Sequence, residues 1–182
     1  MRPIFTIHAG EYLLASRIEQ ISKDLNIWIP AKDKGIDLLI TDRKNEKSVS
    51  IQVKMSRDYR PPKALNEFQK ILAGTGWVRI NRNALASSEA DLWSIVIVSP
   101  NRTDLPLYLH IPPQVLLRNL QRIHGNKTEY HFYPWVTNNN TCIHGRGMGK
   151  KQIREYLQGN YNLGPRDLSE YYENWGFLDD LM

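Results

Sequence analysis

Gly35-Ile36-Asp37-Leu38-Leu39-Ile40 and, after a polar connection, Ser50-Ile51-Gln52-Val53-Lys54 decide how this chain is read. The first stretch is a short apolar run interrupted by one carboxylate. The second alternates: strand side chains have a period of two, so Ile51 and Val53 face one way while Gln52 and Lys54 face the other. The residues between them, Thr41-Asp42-Arg43-Lys44-Asn45-Glu46-Lys47, are polar or charged throughout and predict a hairpin connection. An antiparallel hairpin sets Asp37 beside Gln52 and Lys54. A carboxylate, an amide oxygen and an ammonium then converge, a set that suits a hard divalent cation and a phosphodiester.

Upstream, Gly10 precedes a helix expected from Glu11 to about Asn26, with Leu14, Ile18, Ile21 and Leu25 as its buried stripe. Glu11 lies three residues before Leu14, in the first turn of that stripe. A carboxylate there either interacts with the helix N-terminus or points at the same place as Asp37. The second reading is preferred because of the hairpin downstream. Asn26-Ile27-Trp28-Ile29-Pro30 reads as a short strand closed by proline, followed by a turn at Lys32-Asp33-Lys34-Gly35.

The order helix-Glu, strand-Asp, strand-Gln-x-Lys resembles the PD-(D/E)XK nuclease superfamily, and the resemblance covers roughly residues 8 to 112. Ile36 stands where that family has its proline, and Gln52 where it usually has an acid, so the chain is similar to the Gln-x-Lys variant. The resemblance implies a restriction-endonuclease-like α/β fold, an αβββαβ core with a central mixed sheet flanked by helices. It implies a catalytic set of Glu11, Asp37, Gln52 and Lys54. Mg²⁺ or Mn²⁺ would be held by Asp37, Gln52, the carbonyl of Val53, and Glu11. The implied activity is hydrolysis of phosphodiester bonds in DNA, duplex DNA of restriction or homing type first. The alternative is a nuclease-fold module with weak or absent catalysis that binds DNA or a protein.

After Lys54 the chain turns basic, and Arg57, Tyr59, Arg60 and Lys63 are expected to contact DNA phosphates near the site. A helix is expected over Ala64–Ala73, ended by Gly74-Thr75-Gly76, with Trp77–Ile80 extended and Ser87–Ala90 a loop. Leu92–Val98 is the most β-branched run and reads as a central strand buried on both faces. Leu107–Ile111 is expected to pair with it. Pro113 opens a helix through Ile123, and Glu129–Val136 reads as one last strand. Asn138-Asn139-Asn140-Thr141 marks a boundary, dividing a core of residues 1–137 from an extension of residues 138–182 that packs on the core or on a second subunit. Within the extension, Arg146, Lys150 and Lys151 sit in a glycine-rich basic stretch. It lacks a P-loop ending, so the expectation is a hinge that can touch nucleic acid.

A net charge of +5 permits a polyanionic partner without requiring one. The single cysteine excludes an internal disulfide framework and fits a reducing compartment. No apolar run approaches the length of a membrane span. A cytoplasmic location and no membrane association are therefore expected; a homodimer is expected because a duplex has two scissile strands and the aromatic C-terminal segment offers apolar surface beyond what one core needs. Cys142, His144, His124 and His131 have no zinc-knuckle spacing, and Cys142 has no evident base to make it a nucleophile.

Overall fold

The computed structural model describes residues 8–31, 34–58, 65–98 and 106–182. Helix α1 (Ala9–Ile21) lays Leu14 and Ile18 against a five-stranded sheet. It starts earlier and ends earlier than expected: Gly10 lies inside it, and Ser22 is already extended. Strands β1 (Asn26–Trp28), β2 (Leu38–Thr41) and β3 (Ser48–Arg57) form an antiparallel meander. The polar hairpin between β2 and β3 closes on Asp42, whose Oδ1 accepts the N–H groups of Glu46 at 2.7 Å and Lys47 at 2.9 Å. Those donors, that of Lys47 first, hold the Asp42 carboxyl below the usual range.

The chain then leaves the sheet through α2 (Asn66–Ile71), β4 (Leu72–Thr75), β5 (Val78–Asn81) and α3 (Arg82–Ala86). It returns as β6 (Leu92–Val98), parallel to β3, and β7 (Leu107–Ile111) pairs antiparallel with β6. The sheet order is β1-β2-β3-β6-β7. Helix α4 (Pro113–His124) follows, then β8 (Glu129–Phe132), β9 (Pro134–Thr137), β10 (Cys142–His144) and α5 (Lys150–Leu157). The fold is thus mixed α/β, with a central mixed sheet flanked by helices.

Alternation divides β6 between two cores. Val96 joins Leu14 and Ile18 of α1 with Leu38, Ile40, Ile51 and Val53. Trp93, Ile95 and Ile97 pack on the other face with Leu85 of α3 and with Leu116 and Leu120 of α4. Residues beyond α5 form only short 3₁₀ turns, yet Leu178 and Leu181 enter the α1 core. Tyr172 bridges to Leu109 of β7, and Arg17 of α1 stacks its guanidinium 5.9 Å from the Trp175 ring centroid.

Several elements differ from the sequence expectation. The helix expected over Ala64–Ala73 is only α2, and β4 begins directly after it. The two glycines read as a helix stop instead allow close crossing: a Cβ at Gly74 would stand 2.6 Å from Leu107 Cδ1, and one at Gly76 3.0 Å from Pro134. The single strand expected over Glu129–Val136 is two strands in different sheets: β8 pairs with β5, whereas β9, which begins at Pro134, lies between β10 and β4 in a three-stranded sheet. Helix α3 was unforeseen; Asn81 caps it, accepting the Ala84 N–H at 3.0 Å.

The glycine-rich basic stretch is a packed turn rather than a hinge. A third core holds Phe68, Trp135, Ile143 and Ile153, and Gly145 lies flat on the Trp135 ring. A Cβ at Gly145 would come 2.1 Å from Trp135 Cδ2. Gly145→Ala therefore overpacks this core and is expected to cost about 3 kcal/mol, measured as a lower urea midpoint at unchanged m-value.

Three histidines are neutral in the fold. Burial pushes His110 down to about 3 and His124 to about 4, and pushes His144 well below the ordinary imidazole value. The Tyr133 N–H donates to His144 Nδ1 at 3.2 Å, so the His144 proton sits on Nε2 and points at His124 Nε2, 2.7 Å away. Unfolded, each ring takes up a proton near pH 6.5. The unfolded state thus gains protons first as pH falls, and stability present above about pH 6.5 is lost below it. His110 should contribute a slope of about 1.4 kcal/mol per pH unit between roughly pH 6 and 4, and His144 a loss in the same direction as pH falls. Urea unfolding across that range, compared with His110→Gln, checks the first of these.

Candidate active site

The register of β2 and β3 builds the site. Leu38 pairs with Ile51, so Asp37, one residue before β2, stands opposite Gln52. The Asp37 N–H donates to the Ile51 carbonyl at 2.8 Å, carrying the ladder one step further. Its side chain folds back on β3. Asp37 Oδ2 accepts the Val53 main-chain N–H at 2.6 Å and the side-chain amide of Gln52.

Ile51 and Val53 pack in the α1 core, so Gln52 and Lys54 occupy the opposite face of β3, the face that carries Trp93 of β6. The Lys54 ammonium lies 5.6 Å from the Trp93 ring centroid, within range of a cation–π attraction. Glu11 reaches the same cleft from the first turn of α1. It is buried, and its Oε2 accepts the His8 N–H at 3.1 Å, so the carboxylate caps its helix while lining the cleft. Glu11 thus caps its helix and lines the cleft that Asp37 also lines.

Glycine makes this approach possible. A Cβ at Gly10 would stand 2.9 Å from Met55 Cβ and 3.3 Å from Val53 Cγ1, so α1 touches β3 one residue before Glu11. The cleft so formed is about 380 Å³ and is lined by His8, Ala9, Gly10, Glu11, Asp37, Gln52, Val53, Lys54 and Met55. It brings together Glu11, Asp37, Gln52, Val53 and Lys54, the full expected set. The contributions of Gly10 and Trp93 were not foreseen. A glycine next to the helix carboxylate was the available sign of the first; no sequence signal places Trp93 beside Lys54, since that follows from the parallel β3–β6 register.

The set of donors at the cleft, two carboxylates, an amide oxygen and a main-chain carbonyl, is of the types that could hold a hard divalent cation. It is lean. Among the described residues, no group of three or more His, Cys, Asp and Glu is arranged to hold a metal. That covers the Cys142/His144/His124/His131 set as well: His131 accepts the Trp77 indole N–H at 3.1 Å, and burial pushes the Cys142 thiol up, away from nucleophilic use.

The expected DNA-contacting residues are dispersed. Arg57 is exposed at the end of β3 and does not line the cleft. Tyr59, Arg60 and Lys63 lie outside the described residues. Arg146 places its guanidinium 5.8 Å from the Tyr133 ring centroid, and Lys150 and Lys151 are exposed in the first turn of α5. These three do not line the cleft either.

Gly10→Ala tests the helix contact. The added methyl forces α1 away from Met55 and should cost about 1–3 kcal/mol, read by urea denaturation, whereas Ala9→Gly on the exposed side should cost at most about 1 kcal/mol.

No protein-family model matches the chain, and no curated protein matches it. Among solved structures, a bacterial homing endonuclease, I-Ssp6803I, is similar at 16% identity, over 67% of this chain and 74% of its own, with a TM-score of 0.36.

Proposed function

We propose that this chain is a metal-dependent endonuclease that hydrolyses phosphodiester bonds in DNA, a Gln-x-Lys member of the PD-(D/E)XK class. The observation that carries the reading is the meeting of Asp37 and Gln52 across the β2–β3 register, with Glu11 and Lys54 in the same cleft. Asp37, Glu11, Gln52 Oε1 and the Val53 carbonyl would hold Mg²⁺ or Mn²⁺. A divalent cation there supplies charge neutralisation for the phosphate and acidity for the attacking water. Lys54 brings an ammonium to the cleft, where it offsets the negative charge that builds on the phosphoryl oxygens. The Trp93 ring, 5.6 Å from the ammonium at its centroid, favours that position through a cation–π attraction. Glu11, tied to the His8 N–H, presents a fixed carboxylate rather than a mobile one. Arg57, Arg146, Lys150 and Lys151, with the basic residues after Asp58, supply phosphate contacts to the duplex.

Asp37→Ala and Lys54→Ala should each reduce Mg²⁺-dependent cleavage of plasmid DNA by about 10²–10³-fold, with melting temperatures that keep the fold intact. Cleavage by either variant at the wild-type rate removes the assignment. The Asp37–Gln52 hydrogen bond favours a second reading, a DNA- or protein-binding module with weak catalysis. DNA binding without cleavage under any divalent cation selects it.

A duplex has two scissile strands, and cutting both calls for two such clefts; a homodimer supplies them by symmetry. Light scattering at micromolar concentration, with and without DNA, should give twice the chain mass. A monomer in both conditions overturns the dimer.

A further inference from the structure

Asp37 Oδ2 is shared by two N–H donors of different kinds. The Val53 main-chain N–H, at 2.6 Å, belongs to β3 and cannot withdraw without breaking the strand. The Gln52 amide belongs to a side chain and can turn about its last bond. Its oxygen lies on the other side, toward Gly35, where a Cβ would stand 3.7 Å from Oε1. Gly35 has φ +86°, a conformation that most side chains disfavour, so position 35 itself adds no side chain against the amide oxygen.

The amide thus turns its donor to Asp37 and its acceptor away. A cation and an N–H donor compete for the same carboxylate lone pairs, and an amide serves a cation only through its oxygen. We propose that Gln52 is a positioning residue that competes with the divalent cation for Asp37, so that binding the cation requires the amide to release Oδ2 and reverse its orientation. This rests on reading the cleft as a cation site. It gives the glutamine a role that an acid at position 52 could not fill. A carboxylate has no N–H to offer, and beside Asp37 it would repel rather than satisfy it. The amide therefore holds Asp37 in place before the cation arrives and weakens the cation's hold when it does.

The test uses the full chain without DNA, titrated with Ca²⁺ so that nothing is cut. NMR of the isotopically labelled chain follows the Gln52 side-chain NH₂, assigned by its disappearance in Gln52→Glu. Before Ca²⁺, one amide proton should be protected from exchange with water; at saturation its exchange should quicken about ten-fold or more. Calorimetry on the same samples should show Gln52→Glu binding Ca²⁺ about ten-fold tighter than wild type, equivalent to about 1.4 kcal/mol. Saturation of the wild type with the protected amide proton unchanged overturns this inference and leaves the cleavage reading standing. Failure of both wild type and Gln52→Glu to bind Ca²⁺ overturns the cation site itself, and this inference with it.

Discussion

One carboxylate, that of Asp37, ties two strands to one another at the point where their pairing ends. Its own N–H continues the β2–β3 ladder to Ile51, and its Oδ2 takes the Val53 N–H from the same strand. Main-chain groups of β3 therefore fix both its backbone and its side chain. A carboxylate held this way keeps its orientation whether or not anything binds to it, which is what preorganisation of a polar site requires. The remaining site residues are placed relative to it: Gln52 by register, Lys54 by strand period, and Glu11 by the close contact of Gly10 with β3.

The strand that carries Gln52 and Lys54 is itself held at both ends by carboxylates. Asp91 Oδ2 accepts from the Ser50 N–H at 2.8 Å and the Ser50 hydroxyl at 2.7 Å, at the entry to β6. Asp58 Oδ1 accepts from the Thr75 N–H at 2.8 Å, joining the end of β3 to β4. Hydrogen bonds to charged acceptors are stronger than neutral ones. These two pairs anchor β3 to the entry of β6 near one end and to β4 of the three-stranded sheet at the other.

The local parts of this design were legible in the sequence. The alternation of Ile51-Gln52-Val53-Lys54, the Asp42 hairpin and the Leu14/Ile18 stripe are short-range patterns, and each predicted its element and its face. The buried run Leu92–Val98 and the Pro113 helix start were legible for the same reason. What escaped was set by distant contacts. Gly74, Gly76 and Gly145 look like punctuation, but each is small because another chain segment crosses it: Leu107, Pro134 and Trp135 respectively. The break at Tyr133 between β8 and β9 depends on two different sheets claiming neighbouring residues. The helix carboxylate Glu11 was read as either a cap or a cleft residue; its geometry serves both, because the cap lies at the cleft.

The one parallel pairing in the sheet has a kinetic meaning. The β2–β3 hairpin is local: its key side-chain contact, Gln52 to Asp37, spans 15 residues. The β3–β6 pairing, by contrast, spans 41 residues between Ser50 and Asp91 and must wait for α2, β4, β5 and α3 to be threaded between. Closing long loops and pairing strands in parallel are the slow steps of such a topology. The oxygen donors of Asp37 and Gln52 thus sit on a locally closed hairpin, whereas Trp93, whose ring centroid lies 5.6 Å from the Lys54 ammonium, is supplied across the long closure. Of the site's members, the ammonium is the one whose surroundings depend on the longest loop closure.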